Sequence, residues 1–94
     1  MRVYRTERFE DELDEIFEFI ARDSYNQALK FLNALLEQIE TLGYMRRGYR
    51  KSFYVDEPNA HDFIFKGYVI PYRVNESKNQ VELLGIFKHN IWRY

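Results

Sequence analysis

The densest run of reactive side chains lies at the C-terminal end, Lys88-His89-Asn90-Ile91-Trp92-Arg93-Tyr94. His89 can move a proton near neutral pH. Lys88 and Arg93 are cations, and Trp92 and Tyr94 offer aromatic faces, although Trp92 also reads as a core anchor that closes the sheet edge. These are the types that cleave RNA: a base takes the 2′-OH proton, an acid protonates the leaving oxygen, and cations steady the phosphorane. They are equally the types that concentrate in protein interfaces. A second run, Arg46-Arg47-Gly48-Tyr49-Arg50-Lys51, sets four cations around a tyrosine. Such a run grips phosphate or forms a solvated loop. His61 and Asp62 are adjacent, and adjacent strand residues point to opposite faces, so a direct hydrogen bond between them is not expected. The carboxylates Asp11, Asp14, Glu15 and Glu18 lie on an exposed helix face and do not converge as a hard cation requires. No metal and no cofactor are expected, and the sequence contains no glycine-rich phosphate loop and no serine nucleophile motif.

The elements that must carry these groups follow from the periodicity. Arg2 to Arg5 reads as a short strand. Thr6 is a suitable N-cap, and Glu7, Glu10, Asp11 and Glu12 suit the positive end of a helix dipole. Phe9, Leu13, Ile16, Phe17 and Ile20 then form a helical stripe. Ser24 with Gln27 fits a capping box for a second helix. Its stripe is Ala28, Leu32, Leu35, Ile39 and Leu42, with Gly43 as its C-cap. Helices this close in sequence pack as a hairpin. After Gly43 the period becomes two, and residues 53–55, 62–65, 68–74 and 81–87 read as strands joined by turns. Tyr68, Ile70, Tyr72 and Val74 are expected to face the helices, and Val69, Pro71 and Arg73 the open side. Pro71 cannot donate to a ladder, so it marks an edge or a bulge. The last strand is apolar on both faces after Glu82, which suits a central place. The expected fold is α+β in the order β-α-α-β-β-β. A helical hairpin covers one face of a small, mainly antiparallel sheet and leaves the other face free. Residues 1–94 are expected to form a single domain.

Bulk properties narrow the classes further. The 94 residues include eight Phe, eight Tyr and one Trp, so the core of so short a chain must be aromatic. There is no cysteine, which excludes disulfides and thiolate metal sites. The absence of any long apolar run argues against a membrane role and for a cytoplasmic protein. Residues 1–42 hold ten Asp/Glu against five Lys/Arg, a net of −5; residues 43–94 hold five against nine, a net of +4. Opposite signs on one small chain favour partners of different kinds.

These features together resemble the RelE/ParE superfamily of toxins from bacterial type II toxin–antitoxin pairs. The resemblance rests on the ordered set: the hairpin pattern from Leu13 through Leu42, the strand Lys66-Gly67-Tyr68-Val69-Ile70-Pro71-Tyr72-Arg73-Val74, and the closing strand that ends in Phe87-Lys88-His89. It implies growth arrest, plasmid stabilisation, and a cognate antitoxin that wraps the toxin in a hetero-oligomer. Two targets are implied by two branches. ParE-like members bind DNA gyrase. RelE-like members cut mRNA on the ribosome, a chemistry that here would fall to Arg73, Lys88 and His89. Where RelE-like members commonly carry arginine after the first strand tyrosine, this chain has Val69, and Arg73 lies roughly 13 Å further along the strand. That difference favours the ParE-like branch, with Arg46, Arg47, Arg50, Lys51, Lys88, His89 and Trp92 as target-binding residues. Against it, the ParE-like branch often carries an arginine-rich tail after the histidine, whereas this chain reads Asn90-Ile91-Trp92.

Overall fold

The computed structural model describes residues 1–45 and 49–94. The elements run β1 (Arg2–Arg5), α1 (Glu7–Asp23), α2 (Tyr25–Glu40), α3 (Leu42–Met45), β2 (Ala60–Phe65), β3 (Tyr68–Asn75) and β4 (Gln80–Leu83). The sheet order is β1-β4-β3-β2, with β1 parallel to β4 and the other pairs antiparallel. The expected α+β order is therefore found, and the last strand is central.

Local chemistry sets the helix ends. The Thr6 hydroxyl accepts the Phe9 N–H at 3.2 Å and donates to the Leu83 carbonyl at 2.6 Å, so one cap also ties α1 to the sheet. Ser24 alone separates the two helices. Its N–H closes α1 on the Ile20 carbonyl, and its hydroxyl accepts the Gln27 N–H to open α2. Gly43 is not a left-handed cap. α2 passes through a helical Thr41 into α3, and Gly43 lies where the N-terminus docks: the Met1 ammonium donates to its carbonyl at 2.9 Å. A Cβ at Gly43 would meet the Met1 oxygen at 2.5 Å, so close approach explains the glycine.

The main core fills the space between the helices and one sheet face. Phe9, Leu13, Phe31, Leu35, Ile39 and Leu42 meet Phe63, Phe65, Ile70, Tyr72, Val81, Leu83 and Ile86. Tyr68 and Val74 join its margin, so the facing expected for β3 is found.

Three expectations about the second half need correction. Residues 53–55 are not a strand. The Asp62 carboxylate and the Ser52 hydroxyl take the N–H groups of Phe53, Tyr54 and Val55, leaving none for a ladder. The last strand ends at Leu83 instead of continuing to 87. Tyr72 pairs with Leu83, but Val69 bridges Phe87, so one extra residue has entered β4's side of the ladder. This is a β-bulge beside Pro71, which accepts the Leu84 N–H at 2.8 Å and has no N–H to return. Pro71 thus sits in a central strand and faces a bulge. Finally, the second sheet face is not bare. Val55, Ala60, Val69, Leu84, Phe87 and Trp92 form a smaller apolar cluster there.

Candidate functional site: an anchored C-terminal loop

The chain after β4 makes a loop held at both ends. Phe87 and Trp92 are buried, while Lys88, His89, Asn90 and Ile91 between them are exposed. Phe87 is fixed by paired backbone hydrogen bonds with Val69, at 2.8 and 3.1 Å. Trp92 turns back to stack on Phe87, with ring centroids 5.3 Å apart and planes 14° from parallel. Tyr54 meets Phe87 edge-on, and Tyr94 stacks on Trp92 from further out. Two posts 5 residues apart therefore present four side chains to solvent. Ile91, at 86% exposed, is the most conspicuous apolar group of the loop.

Trp92 is buried and supports the loop, as the core-anchor reading of the sequence expects. Its indole N–H donates to Glu12 of α1, at 3.2 Å to Oε1 and 3.0 Å to Oε2. The Arg8 guanidinium lies 4.2 Å from the centre of the Trp92 ring. Lys88 leans back over the Tyr68 ring, its Nζ 5.0 Å from the centroid. The Lys66-Gly67 turn makes room for it: Gly67 has φ +84°, and a Cβ there would sit 3.1 Å from Lys88 Cε. A cleft of about 320 Å³ opens beside the loop. It is lined from α1 by Glu15 and Ile16 and from the sheet side by Tyr68, Lys88 and Asn90.

Arg73 stands elsewhere. It projects onto the second face as expected, but its charge is already met. Nη1 donates to both oxygens of Glu57 at 3.0 and 3.1 Å and to the Tyr94 hydroxyl at 2.8 Å, and Nε donates to Glu82 at 2.9 Å. Burial disfavours the charge on Arg73, yet these hydrogen bonds outweigh it and hold its pKa above the ordinary value. The same balance acts in reverse on Glu82. Burial raises its pKa, but donors from Gln80, Arg73 and Asn75 prevail and hold the carboxyl below its usual range. Arg73 and Lys88 also occupy opposite ends of β3. Lys88 sits by Tyr68, five residues and roughly 16 Å from Arg73. The three groups expected to form a ribonuclease centre are thus spread between two places.

The basic run divides as well. Arg46 and Arg47 lie outside the described residues. Arg50 is drawn to Asp62, with Nε 3.2 Å from Oδ2, and covers the Phe53 ring at 4.0 Å. Lys51 is exposed. Asp62 is buried at 1% exposure and accepts from Arg50, Ser52 and the Phe53 backbone. His61, on the opposite face, stacks on Tyr72 with Nδ1 3.2 Å from the Tyr49 carbonyl oxygen, so the two adjacent residues do not pair. Among the described residues, no three acidic, His or Cys side chains gather where a metal ion could be held, and no helix is long and apolar enough to cross a membrane.

Sequence reasoning missed Glu12, Glu57, Asp62 and Gly85 as organisers of this region. Gly85 alone carried a signal, because glycine inside an apolar strand marks a bulge or a close approach. A Cβ there would lie 2.6 Å from both Glu12 Oε1 and Trp92 Cζ2.

Comparison with known proteins agrees with this architecture. A chain described as the chromosomal ParDE TA system from P. aeruginosa superposes with a TM-score of 0.77 at 19% identity, covering 96% of this chain and 97% of that one. The isolated E. coli RelE toxin superposes at 0.59, also at 19% identity, over 97% and 86%. A conserved hypothetical protein from Helicobacter pylori superposes at 0.53 with 12% identity, over 95% and 94%. No curated protein sequence matches the chain. The sequence model for the ParE toxin of the type II toxin–antitoxin system parDE matches residues 3–91, nearly the whole chain. This chain therefore belongs to the ParE toxin family of type II toxin–antitoxin systems.

Proposed function

We propose that this chain arrests growth by binding DNA gyrase and that its cognate antitoxin neutralises it by covering the second sheet face and the C-terminal loop. The observation that carries this reading, beside the family, is the loop at 88–91. It is exposed, anchored at both ends and rich in groups suited to contact. An interface benefits from such preorganisation, because little ordering entropy remains to be lost on binding. Catalysis needs convergence, and Arg73 is engaged by two carboxylates at the far end of β3 from Lys88. Lys88 and His89 are the central contacts of this reading, with Ile91 between them and Trp92. Arg46, Arg47, Arg50 and Lys51 supply a second basic contact.

The test is inhibition of supercoiling by purified gyrase. The expected result is inhibition by the free chain, relief on adding antitoxin, and weakened inhibition by a folded Lys88→Ala/His89→Ala variant. No inhibition at stoichiometric excess over gyrase overturns the reading. Cleavage of mRNA in a translating extract, abolished by His89→Ala, replaces it with the ribonuclease.

A further inference from the structure

We propose that Glu12 of α1 is the positioning residue for the C-terminal loop, acting on it through Ile86 and Trp92 without touching the target. The inference rests on the reading above that this loop contacts the target. The bulge after Leu83 removes Ile86 from the ladder, and its N–H needs another acceptor. Glu12 Oε1 supplies it at 3.0 Å. The Trp92 indole is a donor with no acceptor of its own, and it finds the same carboxylate. Ile86 lies just before the first post of the loop and Trp92 is the second, so a single side chain bonds at both ends, adding to the Val69 backbone bonds that fix Phe87.

Two neighbours set that side chain in place. Arg8, one helical turn earlier, donates to Glu12 Oε2 at 3.3 Å and lays its guanidinium over the Trp92 ring. Gly85 leaves the space in which Glu12 and Trp92 meet. Lys88 rests against the Tyr68 ring, and His89, Asn90 and Ile91 are exposed. Their placement follows the two posts, which Glu12 reaches from the N-terminal half of α1.

Trp92 is the only tryptophan, so its emission reports the clamp directly. The experiment compares wild type, Glu12→Ala, Glu12→Gln and Gly85→Ala by tryptophan emission, by circular dichroism, and by growth arrest on induction without antitoxin. Glu12→Ala is expected to keep the helical spectrum, shift emission to the red and weaken growth arrest about tenfold, as two side chains lose their preorganisation. Glu12→Gln retains one oxygen for the Ile86 and Trp92 N–H groups but sets an NH2 where Oε2 accepts from Arg8 and Trp92, and is expected to restore emission and potency in part. Gly85→Ala crowds Glu12 and Trp92 alike, so it is the positive control for a displaced indole; if Glu12→Ala fails to fold, Glu12→Met, which keeps the side chain's length without an acceptor, takes its place.

Unchanged emission in a folded Glu12 variant that lacks the acceptor overturns the inference. So does a red shift with undiminished growth arrest. A wild type that arrests growth without inhibiting gyrase sinks the gyrase reading alone, since both readouts still report on Glu12.

Discussion

The two faces of the sheet are built on different physics. The helix-covered face is held by apolar area: among the described residues, thirteen buried side chains form one cluster. The second face carries six, and its geometry depends on particular polar partners: Glu12 for the bulge and Trp92, Asp62 for the turn at 52–55, Glu57 and Glu82 for Arg73. Packing tolerates small changes by local collapse. A directional hydrogen bond to a buried group does not, because removing one partner strands the other. The first face is therefore suited to carrying stability, and the second to holding an exposed loop in one shape.

The largest expected effect comes from the first face. Phe9 is fully buried, and Phe9→Ala should cost about 4 kcal/mol in denaturant unfolding, enough to unfold much of so small a chain. A cost under about 1 kcal/mol would remove the distinction between the faces.

Asp62→Ala breaks the second face at its buried carboxylate and leaves the Ser52 hydroxyl and the Phe53 N–H without their acceptor. We expect a loss of about 2 kcal/mol in unfolding, with changes in amide chemical shifts concentrated at residues 50–55. Shifts spread evenly through α2 would contradict a local role.

Acid should act on the second face before the first. Glu82 has a depressed pKa in the folded chain, so its contribution to stability is present above the ordinary carboxylate value and is lost as pH falls through the lower folded value. Glu82→Gln should be less stable at neutral pH and show a flatter decline in melting temperature toward acid. An unchanged slope would show that the Arg73–Glu82 pair does not govern acid sensitivity.

The smallest effect should be Arg8→Ala. It removes a largely exposed cation from the Trp92 ring and should cost about 0.5 kcal/mol, with a modest change in Trp92 emission.

The same division explains what could be read from the sequence. The first face follows from period: Phe9 and Leu13, Leu35 and Ile39, and the inward set Ile70–Tyr72 all lie in the core where spacing puts them, and Ala28 is buried. Thr6 and Ser24 were legible as caps because the signal and the partner lie within three residues. The second face depends on contacts between distant positions. Nothing near Glu12 announces Ile86 or Trp92, and nothing near Phe53 announces Asp62. β propensity at 53–55 was real, but two side-chain acceptors claimed its N–H groups first. The run 81–87 looked like one strand, although Pro71 and Gly85 together marked the place where pairing slips.

The measurement that bears most directly on the account is hydrogen exchange of the chain with and without purified gyrase. The account predicts new protection across residues 84–94, strongest around Lys88 and His89, with α2 unchanged. Protection confined to the acidic outer face of α1, with the loop exchanging as in the free protein, would contradict it.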